Sequence, residues 1–196
     1  MTDLLDAPAA PGDGLAARTR VVLDTSVLIS DPEALTAFPD ADGVIPLVVI
    51  EELGQHKTRM DDVGRAARAV LRSSEELRVA NGGDIREPVA VPGGGTLRIE
   101  TNGLHVAEVA AQGLDPAKAD NRILAAALGQ AASGPVTVVS NDAALRIKAA
   151  QLGLRAIEHH RRRAQHHGVR PTGWRTVEVA PEVVDEVYAG GVDLDG

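Results

Sequence analysis

The chain has 196 residues, 44% of them hydrophobic and 24% charged, which is the make-up of a globular protein with one well-filled core. There is no cysteine, so disulfides, thiolate metal sites and cysteine nucleophiles are excluded, and aromatics are 2%, so the core must be built from Ala, Val, Leu and Ile. The net charge of −8 argues against a globally basic nucleic-acid-binding surface. No stretch approaches the ~20 apolar residues of a membrane span. The N-terminus has acids and prolines where a signal peptide would be basic and apolar, so the expected location is the cytoplasm.

Residues 1–18 are rich in Ala, Pro, Gly and Asp without periodicity and read as a disordered extension. The first strand, about 20–24, carries Val21, Val22 and Leu23. Apolar on both faces, it belongs at the centre of a parallel sheet. Asp24 then stands at its C-terminal tip, the edge where ligands bind in open α/β sheets. The alternative is a plain helix cap. In "SDPEALTAF" Asp31 is placed as an N-cap with Pro32 at the first helical position. "GVIP", 43–46, is a second strand, and "PLVVIEELGQHK" opens a helix with Pro46 near its start. Residues 61–80 are strongly helix-periodic, with Val63, Ala66, Ala67, Val70, Leu71 and Leu77 on one side and Arg65, Arg68 and Arg72 on another.

"NGGD", 81–84, ends that helix, and "IREPVAVPGGGTLRIET" reads as a β-hairpin. Its triple glycine lies between strands and opens no helix, so it is not a phosphate loop. A short helix is expected in "LHVAEVAAQG". A longer one is expected in "LDPAKADNRILAAALGQAA", with Asp115 as N-cap and Pro116 in the first turn. "PVTVVS", 135–140, is a second strand apolar on both faces. A helix follows from "NDAALRIKAAQLG", ending at Gly153, and then a last strand at 154–157. Strands alternating with helices predict βαβ units around a parallel sheet with helices on both faces.

Four acids stand out. Asp24 ends the first strand and Asp142 follows the fully apolar strand at 135–140. Glu52 lies in the helix after the second strand, and Asp120 lies near the start of a later helix. Carboxylates crowded at one strand edge repel, and a divalent cation removes that penalty. Oxygen-only donors suit Mg²⁺ or Mn²⁺. Such an ion can bind a phosphate oxygen, lower the pKa of water and stabilise a leaving oxygen, so phosphodiester hydrolysis is the expected chemistry. Thr25, Ser26, Ser140 and Asn141 are placed to orient the carboxylates or the phosphate.

Together, "VVLDTSVLISDP", "VIPLVVIEELGQHK", "DDVGRAARAVLR", "ADNRILAAAL" and "VTVVSNDAALRIKAAQLGL" resemble a PIN-domain ribonuclease, and within that family the PIN domain of PhoH-type proteins. The resemblance covers roughly 19–157. It implies a three-layer α/β/α sandwich on a central parallel sheet, here with a β-hairpin insertion, and Mg- or Mn-dependent endonucleolytic cleavage of single-stranded RNA. The family's acidic motif maps onto Asp24, Glu52, Asp120 and Asp142 as metal ligands and catalytic groups. Glu52 is preferred to Glu51 because the family's acid directly precedes a leucine, here Leu53. The first motif more often reads Asp-Thr-Asn; here it is Asp24-Thr25-Ser26.

The implied organisation is an N-terminal extension, 1–18, a PIN nuclease domain, 19–157, and a basic then acidic tail or linker, 158–196. Within that tail 158–170 carries four arginines against one acid, and 171–196 six acids against one arginine. Homo-oligomerisation, as a dimer, is common in the family. PhoH-type proteins add an ATPase with a phosphate loop, and no Gly-Lys-Ser/Thr occurs in this sequence. The rival to a self-sufficient nuclease is a latent or non-catalytic PIN module that binds RNA or a partner as the N-terminal half of a PIN-PhoH ATPase or helicase.

Lys57, Arg59, Arg65 and Arg68 are the candidate RNA-phosphate contacts, set against salt bridges to Asp61, Asp62, Glu75 and Glu76 on a solvated helix. Two other enzyme classes are disfavoured. A response-regulator receiver needs an acidic pair at the first strand, and a haloacid-dehalogenase-type phosphatase needs Asp-x-Asp there. Asp24 is followed by Thr25 and Ser26.

Overall fold

Two apolar strands set the architecture. β1 (Arg20–Leu23) and β5 (Val136–Val139) pair parallel in the register Arg20↔Val136 to Leu23↔Val139, with Val22 and Val138 fully buried. Both faces of these strands are covered, which is why their sequences run apolar without alternation. The computed structural model describes residues 18–84, 86–92, 94–101 and 105–160. The N-terminal extension to residue 17 and the His/Arg-rich segment from Arg161 onward lie outside them.

β2 (Asp42–Pro46) pairs parallel with β1 on its other side, and β6 (Arg155–Ile157) pairs parallel with β5. The hairpin of β3 (Val89–Ala90) and β4 (Thr96–Glu100) joins the same sheet, because β4 pairs parallel with β2. The six-stranded order is β3-β4-β2-β1-β5-β6, with β3 the one antiparallel member. The two central parallel strands are therefore not consecutive in the chain, and their C-terminal tips form the crevice edge of the sheet.

Among the described residues six α-helices accompany the strands: α1 (Thr25–Ser30), α2 (Leu47–His56), α3 (Asp62–Ala80), α4 (Val106–Ala111), α5 (Ala119–Ala131) and α6 (Ala143–Gln151). The aliphatic core expected from composition is present. Leu23, Leu28, Ile45, Leu53, Leu97, Ile123, Leu124 and Leu145 are its largest fully buried side chains. Each contributes about 1.5–3 kcal/mol relative to exposure. α3 buries Ala66, Ala67 and Val70, as its periodicity predicts. Its first turn needs Gly64, since a Cβ there would lie 2.0 Å from the Arg59 carbonyl oxygen. Gly153, at φ +74, closes α6. The Leu154 N–H then reaches back to the Ala149 carbonyl and turns the chain into β6. Among the described residues no helix is long and apolar enough to cross a membrane.

α1 forms directly after β1, as the cap alternative for Asp24 required, with burial of Val27 and Leu28 offsetting the β-branched Thr25, Val27 and Ile29. Two boundaries differ from expectation. "PEALT" is a 3₁₀ helix, Pro32–Thr36, capped by Asp31 as anticipated. α5 starts at Ala119, not beside Pro116. Asp115 does accept a backbone N–H, that of Ala117 at 3.0 Å, but it closes a separate turn whose Lys118 occupies the N-cap position. Asp120 is thereby brought into the first turn of α5.

Candidate active site

Asp24 occupies the N-cap position of α1, yet its side chain makes no cap hydrogen bond. It is 6% exposed, and its Oδ2 accepts hydrogen bonds from Ser26 Oγ and, at 2.7 Å, from Ser140 Oγ. Both donors are neutral, and no basic side chain pairs with Asp24 among the described residues. Burying a carboxylate without a cation is costly even when it is hydrogen-bonded. The simple cap reading of Asp24 therefore fails on geometry, and the uncompensated charge needs another account.

The tip of β5 supplies the other wall. Ser140 is fully buried; its Oγ donates to Asp24 and accepts the Asp142 N–H at 3.0 Å. Asn141 is a hub. Its backbone N–H donates to Ser26 Oγ at 3.0 Å, its Nδ2 to Ser30 Oγ at 2.8 Å, and its Oδ1 accepts the His159 N–H at 3.2 Å. Asp142 is exposed and caps α6, its Oδ1 accepting the Ala144 N–H at 2.7 Å. All four hydroxyl or amide residues singled out from sequence make side-chain contacts here, since Thr25 Oγ1 donates to Glu52 Oε2.

Glu51 and Glu52 part company on α2. Glu51 is exposed and pairs with Arg122 of α5 at 3.0 Å, while Glu52 is half-buried against Thr25. Asp120, at the N-terminal end of α5, meets the ammonium of Lys148 on α6 at 3.0 Å. Side-chain contacts and neighbours along the chain link these elements in turn. They run from Asp24 through Ser140 to α6, through Lys148 and Asp120 to α5, through Arg122 and Glu51 to α2, and through Glu52 and Thr25 back to Asp24. Asp24 and Asp142 thus stand at the tips of adjacent strands, with Glu52 held to the residue after Asp24 and Asp120 to α6.

Among the described residues, however, no three His, Asp or Glu side chains are grouped so as to hold one ion. Glu52 is turned to Thr25 and Asp120 to Lys148. The donor chemistry fits a hard divalent cation, because the edge offers carboxylates and hydroxyls and Asp24 lacks a positive partner. Thr25 engages Glu52 through Oε2, while Asp120 carries the Lys148 ammonium, a positive charge that an incoming cation would oppose.

The basic residues divide. Arg59 pairs with Asp61 at 2.5 Å and Arg65 with Asp62 at 2.8 Å, while Arg68 donates to the carbonyls of Lys57 and Arg59. Arg59 holds the Asp61 carboxyl well below the usual range, at about 2, with help from the Gly64 N–H. Lys57 and Arg72 are exposed and make no ion pair among the described residues, which leaves Lys57 the freest of the four candidate phosphate contacts.

Three participants were not anticipated: Arg122, Lys148, and the buried pair of His159 Nε2 with Asp31 Oδ2 at 2.8 Å. All are contacts between elements distant in sequence, and the sequence carries no local signal of them. The last fastens the chain just beyond β6 to the domain.

A family model described as a PIN domain matches residues 21–160. The chain is 42% identical over 176 residues to protein PhoH2 of Mycolicibacterium smegmatis, covering 88% of this chain and 39% of that protein. It is 44% identical over 139 residues to protein PhoH2 of Thermobispora bispora, covering 70% of this chain and 31% of that one. The chain therefore spans well under half the length of these relatives. Among solved structures, a domain of a functionally unknown protein from Methanocaldococcus jannaschii aligns at TM-score 0.47 with 16% identity, over 83% of this chain and 98% of that one.

Proposed function

The chain belongs to the PIN-domain family, whose members are generally nucleases that use divalent metal ions, and we propose that it is a Mg²⁺- or Mn²⁺-dependent endoribonuclease acting on single-stranded RNA. The observation that carries this reading is Asp24, a buried carboxylate at a strand tip that caps nothing and has no cationic partner among the described residues.

In this reading Asp24, Glu52, Asp120 and Asp142 would hold the ion. When bound, the ion supplies Lewis-acid activation of water and charge neutralisation at the scissile phosphate. Ser26 and Ser140 would fix the Asp24 carboxylate by holding its Oδ2. Thr25 does the same for Glu52, and Asn141 keeps the β1 and β5 tips together. Lys57 is the strongest of the proposed phosphate contacts. Arg59, Arg65 and Arg68 would first have to loosen the pairs described above. The nuclease domain is taken as 19–157, with 1–18 and 158–196 as flanking segments, and a dimer is the proposed assembly.

The test is cleavage of an end-labelled single-stranded RNA by the purified chain with Mn²⁺ or Mg²⁺, with EDTA and Asp24→Asn as controls. Cutting that is lost in both controls supports the proposal, and absence of cutting by folded protein refutes a self-sufficient nuclease. One observation favours a second reading, a latent or non-catalytic PIN module of a longer PIN-PhoH ATPase: the chain spans 39% of the Mycolicibacterium PhoH2. That reading expects metal-insensitive RNA association without turnover.

A further inference from the structure

Of the four acids, three are held by neutral donors: Asp24 by two serine hydroxyls, Glu52 by a threonine hydroxyl, and Asp142 in contact with a backbone N–H. Asp120 alone is held by a cation, the Lys148 ammonium at 3.0 Å. The contact is tertiary, joining the first turn of α5 to α6, and both side chains are partly exposed, at 29% for Lys148 and 41% for Asp120. Neither has another side-chain partner among the described residues.

We propose that Lys148 is an exchangeable counter-cation of the acidic site: its ammonium neutralises Asp120 while no metal ion is present and gives up the carboxylate when one enters. This rests on the metal-dependent reading above. A lysine suits the role because it is a point charge on a flexible four-carbon stem, able to swing clear without breaking a bidentate fork. An ammonium left in contact with Asp120 would stand within a few ångströms of a divalent ion, where like charges repel strongly. Loading therefore has to displace it. Lys148 acts through Asp120 and is in this sense a positioning residue.

The experiment is calorimetric titration of the full chain with MnCl₂, with circular dichroism to confirm folding. Lys148→Met is expected to bind Mn²⁺ about tenfold more tightly than wild type, a modest figure because the pair is partly exposed. Lys148→Gln should behave the same way, and Lys148→Arg, able to grip Asp120 through a bidentate fork, should bind no more tightly than wild type. Arg86→Met removes the same unit of charge from an exposed pair with Asp84, just before the edge strand β3, and should leave affinity unchanged. A loss of structure weakens metal binding, so tightening is a readout that a merely structural role would not produce. Equal or weaker binding by both neutral variants overturns the proposal. If wild-type binding is abolished by Asp24→Asn while Lys148→Met matches wild type, the counter-cation role falls and the metal site stands. If neither wild type nor Lys148→Met binds Mn²⁺, both fall.

Discussion

At the tip of β1 the chain reads Asp24-Thr25-Ser26; at the adjacent tip of β5 it reads Ser140-Asn141-Asp142. Each triplet carries an aspartate at the N-cap position of the helix that follows. Asp142 uses its carboxylate as a cap and is exposed; Asp24 does not cap and is buried. The difference follows from which residue of each triplet lies against the sheet. At β1 it is the aspartate, which meets the inward-facing Ser140. At β5 it is the serine, which leaves the aspartate two residues further out. A capping position by itself therefore says nothing about what the carboxylate does. Burial and partners decide it.

The largest effect expected to test that contrast is Asp24→Asn. Asparagine keeps an acceptor for the two serine hydroxyls, so the fold should persist. Removing an uncompensated buried charge should leave the metal-free Tm unchanged or higher. Cleavage should fall by about 10³-fold, the scale of losing a group that stabilises transition-state charge. A Tm several degrees lower by scanning fluorimetry would make Asp24 a structural residue instead.

Asp142 can be separated into its two roles. Asn at 142 can still cap α6, so Asp142→Asn should keep wild-type stability while cleavage falls by roughly 10²-fold. Asp142→Ala should lose the cap as well, at about 1 kcal/mol in denaturant unfolding. Full cleavage activity in Asp142→Asn would reduce Asp142 to a cap and make the two tips wholly unlike.

Ser140 links the tips directly. Ser140→Ala leaves Asp24 with one hydroxyl donor and the Asp142 N–H without its acceptor, at a site with no solvent access. The expected cost is about 1–3 kcal/mol of stability. A roughly tenfold loss of cleavage should accompany it as the Asp24 carboxylate loosens. Stability loss without any change in cleavage would mean that the hydrogen bond does not orient Asp24.

How much of this was legible in the sequence follows from the range of each interaction. β1 and β5 could be read because burial on both faces leaves an unbroken apolar run, and α3 because its apolar face repeats over five turns of chain. The helix after Asp24 was open only as the alternative of a plain cap, since β-branched Thr25, Val27 and Ile29 weaken its local signal and burial of Val27 and Leu28 supplies the rest. The start of α5 misled because Asp115-Pro116 is a true turn signal that belongs to a different turn. At the site the acids and hydroxyls were visible as residue types after strands. Lys148 against Asp120 and His159 against Asp31 were not, because their partners lie 28 and 128 residues away.

The smallest effect concerns another capping aspartate, Asp61, which accepts the Gly64 N–H at 3.1 Å and pairs with Arg59 on the surface. It is the ordinary case against which Asp24 stands out. Its carboxyl titrates at about 2, lowered first by the Arg59 hydrogen bond and then by the Gly64 N–H. An unfolded aspartate titrates at about 3.9. A depressed folded value means that the ionised pair stabilises fully above the unfolded value and loses that contribution as pH falls through about 2. Asn keeps the cap and removes the charge. Wild type should therefore hold a small Tm advantage over Asp61→Asn at pH 5 that shrinks steadily as pH falls toward and through about 2. An advantage that stayed constant down to pH 2 would mean that cap geometry, rather than the charge on Asp61, distinguishes the two proteins.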